Sequence, residues 1–162
     1  MIERTLVLVK PDGVQRGLIG EIITRFEKVG LKIVAMKMHW INKEFAAKHY
    51  FDVGQRHGKQ VLENLVAYIT EGPVIAMVLE GISAVDVVRK LVGSTYPNES
   101  LPGTIRGDYA HISKDYANKA NKRVSNLIHA SGKKEEADYE INLWFKPEEI
   151  HTYKTVHELH VM

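Results

Sequence analysis

Short apolar runs along the chain alternate with stretches whose apolar residues recur every three or four positions. Thr5-Leu6-Val7-Leu8-Val9 is a β-branched, apolar run of strand length, read as a buried strand. Lys10-Pro11-Asp12-Gly13 ends it in a turn, because Pro and Gly punctuate regular structure, and leaves Lys10 at the strand end. Ile19, Ile22, Ile23 and Phe26 then fall at helical spacing, predicting a helix over Leu18–Val29 with Gly30 just past its end. Leu31–Trp40 reads as a second strand. Asn42 is placed to cap a short helix over Lys43–Tyr50. Beyond a polar loop with Arg56, His57 and Gly58, the spacing of Val61, Leu62, Leu65, Tyr68 and Ile69 marks another helix, which Gly72-Pro73 closes.

Val74–Glu80 gives the third strand, and Ser83 is placed to cap a helix from Ala84 to about Val92. From Gly93 to Asp108 the apolar period is lost, predicting a long loop, and loops of that length in compact domains are usually functional or disordered. Tyr109–Ser125 is polar and basic. Asn126–Ser131 reads as a short strand carrying His129, followed by a helix over Lys133–Phe145 that Pro147 limits. The tail from Lys146 is read as irregular and docked on the body or on a neighbour. The order βαβααβα, then a loop, a short strand and a final helix, predicts an α+β fold. Its core is a ferredoxin-like four-stranded antiparallel sheet, with helices packed on one face.

Bulk properties narrow the function classes. A length of 162 residues predicts one domain spanning 1–162. A net charge of +2 argues against a nucleic-acid partner or an anionic membrane surface. No apolar run approaches the roughly 20 residues that cross a bilayer. Cysteine is absent, removing disulfides, thiolate metal sites and cysteine catalysis together, so a cytoplasmic location is expected.

With cysteine excluded, the eight histidines are the candidates for nucleophilic or proton-transfer chemistry near neutral pH. By itself His129 reads as an ordinary hydrogen-bonded histidine at a strand end. The usual Gly-rich phosphate loops are missing, since Gly17 and Gly20 alone make no fingerprint. No carboxylate cluster has calcium-loop spacing, and His157 and His160 stand three apart rather than the four of a zincin helix, so no protein metal site is assigned. What remains are cations at element ends or in the long loop, Lys10, Arg89 and Arg106, with the hydroxyls of Tyr50 and Thr95. If they converge, they suit a polyphosphate and the charge that spreads over a transferring phosphoryl group.

Seven segments then carry a resemblance. They are Lys10–Ile23, Val34–Lys37, His49-Tyr50, Gly72-Pro73-Val74, Pro102–Asp108, Asn126–Ser131 and Leu143–Glu149. In this order over nearly the whole chain they resemble the nucleoside diphosphate kinase family. The resemblance implies a ping-pong phosphotransferase in which His129 takes the γ-phosphoryl group of a nucleoside triphosphate such as ATP and passes it to a diphosphate. It implies that Lys10, Tyr50, Arg89, Thr95 and Arg106 bind phosphate, and that Asn126 reaches the sugar hydroxyl and the lysine. Glu140 matches the carboxylate that holds the imidazole through its far nitrogen, and Ser131 a neighbour of that carboxylate able also to cap the final helix. Magnesium would be held by the nucleotide's phosphates. The family's assemblies imply a homo-oligomer, tetramer or hexamer, with Gly93–Gly107 and the tail as contacts.

The chain departs from the family at three places. Ala130-Ser131-Gly132 replaces the usual Gly-Ser-Asp. The family's base-stacking phenylalanine falls within Gln55–Asn64, which is longer here and has no aromatic ring but His57. Asp108–Asn126 is also longer, so His57 or a residue of the insertion is expected to stack on the base. On the residues alone two other readings compete: a non-catalytic nucleotide-binding module, and a nucleic-acid-binding domain using the basic insertion.

Overall fold

The computed structural model describes residues 1–161, with side chains through His160. Four strands form one antiparallel sheet in the order β2-β3-β1-β4, with β1 at Ile2–Val9, β2 at Lys32–His39, β3 at Val74–Ile82 and β4 at Ile128–Ala130. This is the predicted ferredoxin-like α+β sheet. Helices cover both faces rather than one, however, and the reason is written in β1. Leu6 and Leu8 point to one face, Val7 and Val9 to the other, and all four are fully buried. A strand buried on both sides reads as a continuous apolar run instead of an alternation.

On the first face lie α3 (Lys43–His49), α5 (Lys59–Thr70) and α9 (Lys134–Trp144), supplying Ala46, Ile69, Ile141 and Trp144. On the second, α2 (Ile19–Glu27) and α6 (Ala84–Val92) supply Ile22, Phe26, Val88 and Val92. Fully burying one such side chain stabilises by roughly 1.5–3 kcal/mol, so both faces are firmly held.

Several stretches read as turn or loop are short helices: α1 (Pro11–Gln15), α4 (Val53–His57), α7 (Ile105–Tyr109) and α8 (Lys114–Lys119), with a 3₁₀ turn at Pro97–Glu99. Asn42 does cap α3, its side chain accepting from the Phe45 amide. Ser83 does not cap α6. It sits in the left-handed region at φ 49°, and Glu3 accepts from the Val85 amide instead. The tail is docked. A bulge in the β2–β3 pairing leaves the Val34 carbonyl free to accept from the His151 amide, and Tyr153 donates to the Ile33 carbonyl. Lys32 closes this seam through Glu80 and Glu158 before the last turn, α10 (Glu158–Val161).

Candidate active site

The end of β1 and the start of β4 build the floor. Register pairs Leu8 with His129 and Val9 with Ile128, so the residue after β1, Lys10, meets the residue before β4. The Lys10 amide donates to the Leu127 carbonyl at 2.8 Å. Leu127 is held at φ 69°, a conformation uncommon for a residue with a side chain. Asp12 holds it there. One oxygen accepts from the Leu127 amide at 3.0 Å, the other from the Tyr68 hydroxyl at 2.7 Å, and that hydroxyl accepts from the Asn126 amide at 3.1 Å. Gly13 is required for this approach, because a Cβ there would lie 2.8 Å from Val9 Cγ1 and 3.1 Å from the Leu127 carbonyl.

His129 projects from this floor with its Nε2 2.9 Å from Glu140 Oε1 on α9. The other Glu140 oxygen accepts from the Ser131 hydroxyl at 2.6 Å. Burial alone would raise the Glu140 pKa, but the adjacent His129 and the hydrogen bonds from His129 and Ser131 hold it below the usual carboxylate range. An ionised carboxylate only accepts, so His129 Nε2 carries the hydrogen and Nδ1 keeps its lone pair. Ser131 also accepts from the Leu6 amide at 3.2 Å, which ties the carboxylate to the central strand. It does not cap α9, because the chain runs two more residues before the helix begins. There Gly132 donates its amide to Glu136.

A second imidazole packs against the first. The His49 and His129 ring centroids are 4.6 Å apart with planes at 79°. His49 Nδ1 accepts from the Trp144 indole at 3.2 Å, and its Nε2 is buried without a partner. Burial, then the adjacent His129, push the His49 pKa down to about 3. Its 3.9 Å approach to Glu140 is therefore the contact of a neutral ring with a carboxylate, not an ion pair.

In front of His129 lies a cavity of about 430 Å³ lined by Lys10, Tyr50, Arg89, Thr95, Arg106, Asn126 and His129 itself. Thus the seven predicted residues that would face a nucleotide converge, and Glu140 stands behind the histidine. Lys10 donates to the Asn126 side chain at 2.8 Å, and Asn126 donates to the Thr95 carbonyl at 2.9 Å. Arg106 donates to the carbonyls of Asn126, Gly93, Ser94 and Ile128, leaving one of its five N–H groups for a ligand. It is as much a scaffold for the cavity rim as a charge within it. Burial lowers the Lys10 pKa to about 7, with Arg106 adding to the effect, and lowers Arg106 to about 10. The Tyr50 hydroxyl is buried with no partner, and burial raises its pKa, so it is a donor awaiting an acceptor.

His57 lies elsewhere. It lines an adjoining recess with Phe51, Arg56, Glu136 and Tyr139, which shares Tyr50, Leu65 and His129 with the first cavity, and it is not among the residues lining that first cavity. Sequence reasoning missed Asp12 and Tyr68, which hold the floor, and His49 and Trp144, which pack around His129. Asp12 and His49 stand inside motifs already singled out. Only their distant partners reveal what they do.

A cleft lined by cations and hydroxyls, with an oriented imidazole at its end on a ferredoxin-like sheet, defines a phosphotransferase. Residues 3–150 match the family model of nucleoside diphosphate kinase. The chain is 56% identical over 152 residues to the nucleoside diphosphate kinase of Pyrococcus furiosus, covering 94% of this chain and 88% of that one. It is 46% identical over 156 residues to the Borreliella burgdorferi enzyme, covering 95% and 93%. Among solved structures, a transition-state mimic of the Borrelia burgdorferi kinase with bound vanadate and ADP superposes with a TM-score of 0.95 at 45% identity, covering 99% and 96% of the two chains. A Halobacterium salinarum kinase in complex with CDP superposes at 0.85 with 42% identity, covering 98% and 97%. The chain belongs to the nucleoside diphosphate kinase family.

Proposed function

We propose that this chain carries out nucleoside diphosphate kinase chemistry through His129. The orientation of its ring by Glu140 at the end of the cation-lined cavity is the observation that supports this most directly. In the first half-reaction the Nδ1 lone pair attacks the γ-phosphorus of a nucleoside triphosphate. The bond to the β–γ bridging oxygen breaks, and the diphosphate leaves with that oxygen's electrons. The ring becomes a phosphoimidazolium whose positive charge faces Glu140 through Nε2–H. In the second half-reaction a terminal oxygen of another diphosphate attacks the same phosphorus, and the imidazole departs unchanged.

Lys10, Arg89 and the remaining Arg106 N–H offset the charge that spreads over the phosphoryl oxygens, while Tyr50 and Thr95 offer hydroxyls. Asn126, fixed by Lys10, Thr95 and Tyr68, is placed for a sugar hydroxyl. No carboxylate lines this cavity among the described residues, which suits a magnesium ion that would be held by the phosphates of the nucleotide and would supply charge to polarise the transferred group. The same reading includes a cytoplasmic location, and among the described residues no helix is long and apolar enough to cross a membrane. It also includes a homo-oligomer, tetramer or hexamer. Supporting this are the exposed Met36, Met38 and Trp40 on and just beyond edge strand β2, and Leu101 on the long loop.

The test is a labelling experiment. Incubation with γ-labelled ATP and magnesium should give an acid-labile, alkali-stable phosphoprotein that unlabelled GDP discharges. Equal labelling of His129→Ala would refute the assignment.

A further inference from the structure

The insertion between Asp108 and Asn126 builds a cavity of its own. It measures about 510 Å³, its lining includes Arg16, Tyr109, His111, Tyr116, Lys122 and Ser125, and it shares no lining residue with the cavity in front of His129. The fold of the insertion is fixed at both ends of α8. Ser113 caps its start by accepting from the Tyr116 amide. Past its end Asn121 turns the chain at φ 48°, so that the Lys122 amide donates to the Ala117 carbonyl at 2.8 Å. On the opposite wall Arg16 Nη1 donates to the Tyr109 carbonyl at 2.7 Å, which fixes the guanidinium there. Three parts that hold the nucleotide cavity meet at these walls. Arg16 follows α1, whose Asp12 holds Leu127; Tyr109 ends α7, which carries Arg106; and Ser125 precedes Asn126.

The lining selects its guest. Arg16 and Lys122 are cations, and no carboxylate lines this cavity among the described residues. The rings of Tyr109 and Tyr116, with Ile112, supply flat apolar wall, and Tyr116 is 57% exposed. A bare anion would leave that wall against water, and a neutral aromatic guest would strip water from two cations without replacing it. An aromatic group that carries an anion satisfies both, and two cations match the charge of roughly −2 on a single phosphate monoester. The volume falls within the roughly 300–1,000 Å³ of small-molecule sites. We propose that this cavity is a second ligand site, taking an aromatic anion with the chemistry of a nucleoside monophosphate, and that its occupancy tightens nucleotide binding in front of His129. A guest there braces α1, α7 and the residue before Asn126 together. The coupling rests on the nucleotide-binding reading above, whereas the second site stands without it.

Calorimetry would titrate AMP, adenosine and inorganic phosphate into wild type already saturated with ADP and magnesium, and into Tyr116→Ala, Tyr116→Phe and Lys122→Ala treated alike. AMP should bind once per chain, with adenosine and phosphate each weaker by about 10-fold or more. Tyr116→Ala and Lys122→Ala should each weaken AMP about 10-fold, while Tyr116→Phe, which keeps the ring, binds it as wild type does. Each variant alone should bind ADP as wild type does, which reports an intact fold. AMP should in turn raise the affinity of wild type for ADP by about 5-fold, and leave that of Tyr116→Ala unchanged. Adenosine or phosphate binding as tightly as AMP would overturn the proposal, the first marking an apolar slot and the second an anion patch. AMP binding that survives both alanine substitutions, or that merely competes with ADP, would overturn it as well. Failure of wild type to bind ADP would count against the His129-centred reading alone, because AMP binding that depends on Tyr116 and Lys122 would remain.

Discussion

Nucleotide binding should take up a proton, and Lys10 is the reason. Its ammonium is buried beside Arg106 and its pKa falls from the ordinary 10.5 to about 7. At pH 8 about nine-tenths of the empty protein therefore carries a neutral Lys10, and at pH 6 about one-tenth does. A polyphosphate entering the cavity brings several negative charges against this group and restores its proton. The expected uptake attributable to Lys10 is about 0.9 proton per nucleotide at pH 8, about 0.5 at pH 7 and about 0.1 at pH 6. Affinity should weaken by up to about tenfold per pH unit above 7, because each bound nucleotide must then recruit a proton. The assay is titration calorimetry with ADP in buffers of different ionisation enthalpy, where the slope of observed heat against buffer enthalpy counts protons. Lys10→Met leaves every other titrating group in place, so the difference between the two proteins isolates Lys10. A wild-type slope at pH 8 no larger than that of Lys10→Met would refute the reasoning.

The same shift carries a stability prediction of opposite sign. Between pH 7 and 10.5 the unfolded chain binds the proton that folded Lys10 has lost, so its burden on folding is full below pH 7 and fades as pH rises through that window. That burden is on the order of 5 kcal/mol below pH 7, and Lys10→Met should melt higher at pH 6 than wild type by a margin that shrinks toward pH 10. Glu140→Gln replaces the acceptor of His129 Nε2–H with an amide that can donate to it and so favour the wrong tautomer. Losing a hydrogen bond to a charged group costs roughly 1.5–3 kcal/mol, so phosphohistidine formation in single-turnover labelling should slow by about 10- to 100-fold, and an unchanged rate would count against the orienting role. Ser131→Ala leaves Glu140 Oε2 and the Leu6 amide without their partner in a fully buried spot, at roughly 1–3 kcal/mol, so Tm should fall by about 3–10 °C with the fold retained in circular dichroism.

The residues that do chemistry were more legible in the sequence than those that hold them in place. Lys10 is visible because a strand signal stops beside it, whereas His129 by itself reads as an ordinary strand-end histidine and stands out only through the motifs shared with the family. Their convergence is not local information, since Lys10 and Asn126 meet across 116 residues. Asp12 sits in a stretch read as a turn, yet its work is to hold Leu127 in a left-handed conformation from 115 residues away. Helices α7 and α8 were hidden because five or six mostly polar residues show no apolar period. Their N-caps were the missed signal: Thr104 accepts from the Gly107 amide and Ser113 from the Tyr116 amide. One-face packing was the wrong inference from a sheet whose central strands carry the unbroken apolar runs Leu6–Val9 and Val74–Leu79, where the lack of alternation was itself the clue.

The floor of the site also dictates an order of assembly. Strand β1 precedes both of its partners in the chain, β3 some seventy residues later and the three-residue β4 that carries His129. Loop closure over such separations is slow, and until it occurs the fully apolar Leu6–Val9 segment has neither neighbour. A nascent chain that has released residues up to about Val92 can pair β1 with β3 and cover them with α2 and α6, but it still presents one open edge of β1. Closing that edge brings His129 alongside Lys10, so the pairing that covers the open edge of β1 is the same one that completes the floor of the cavity.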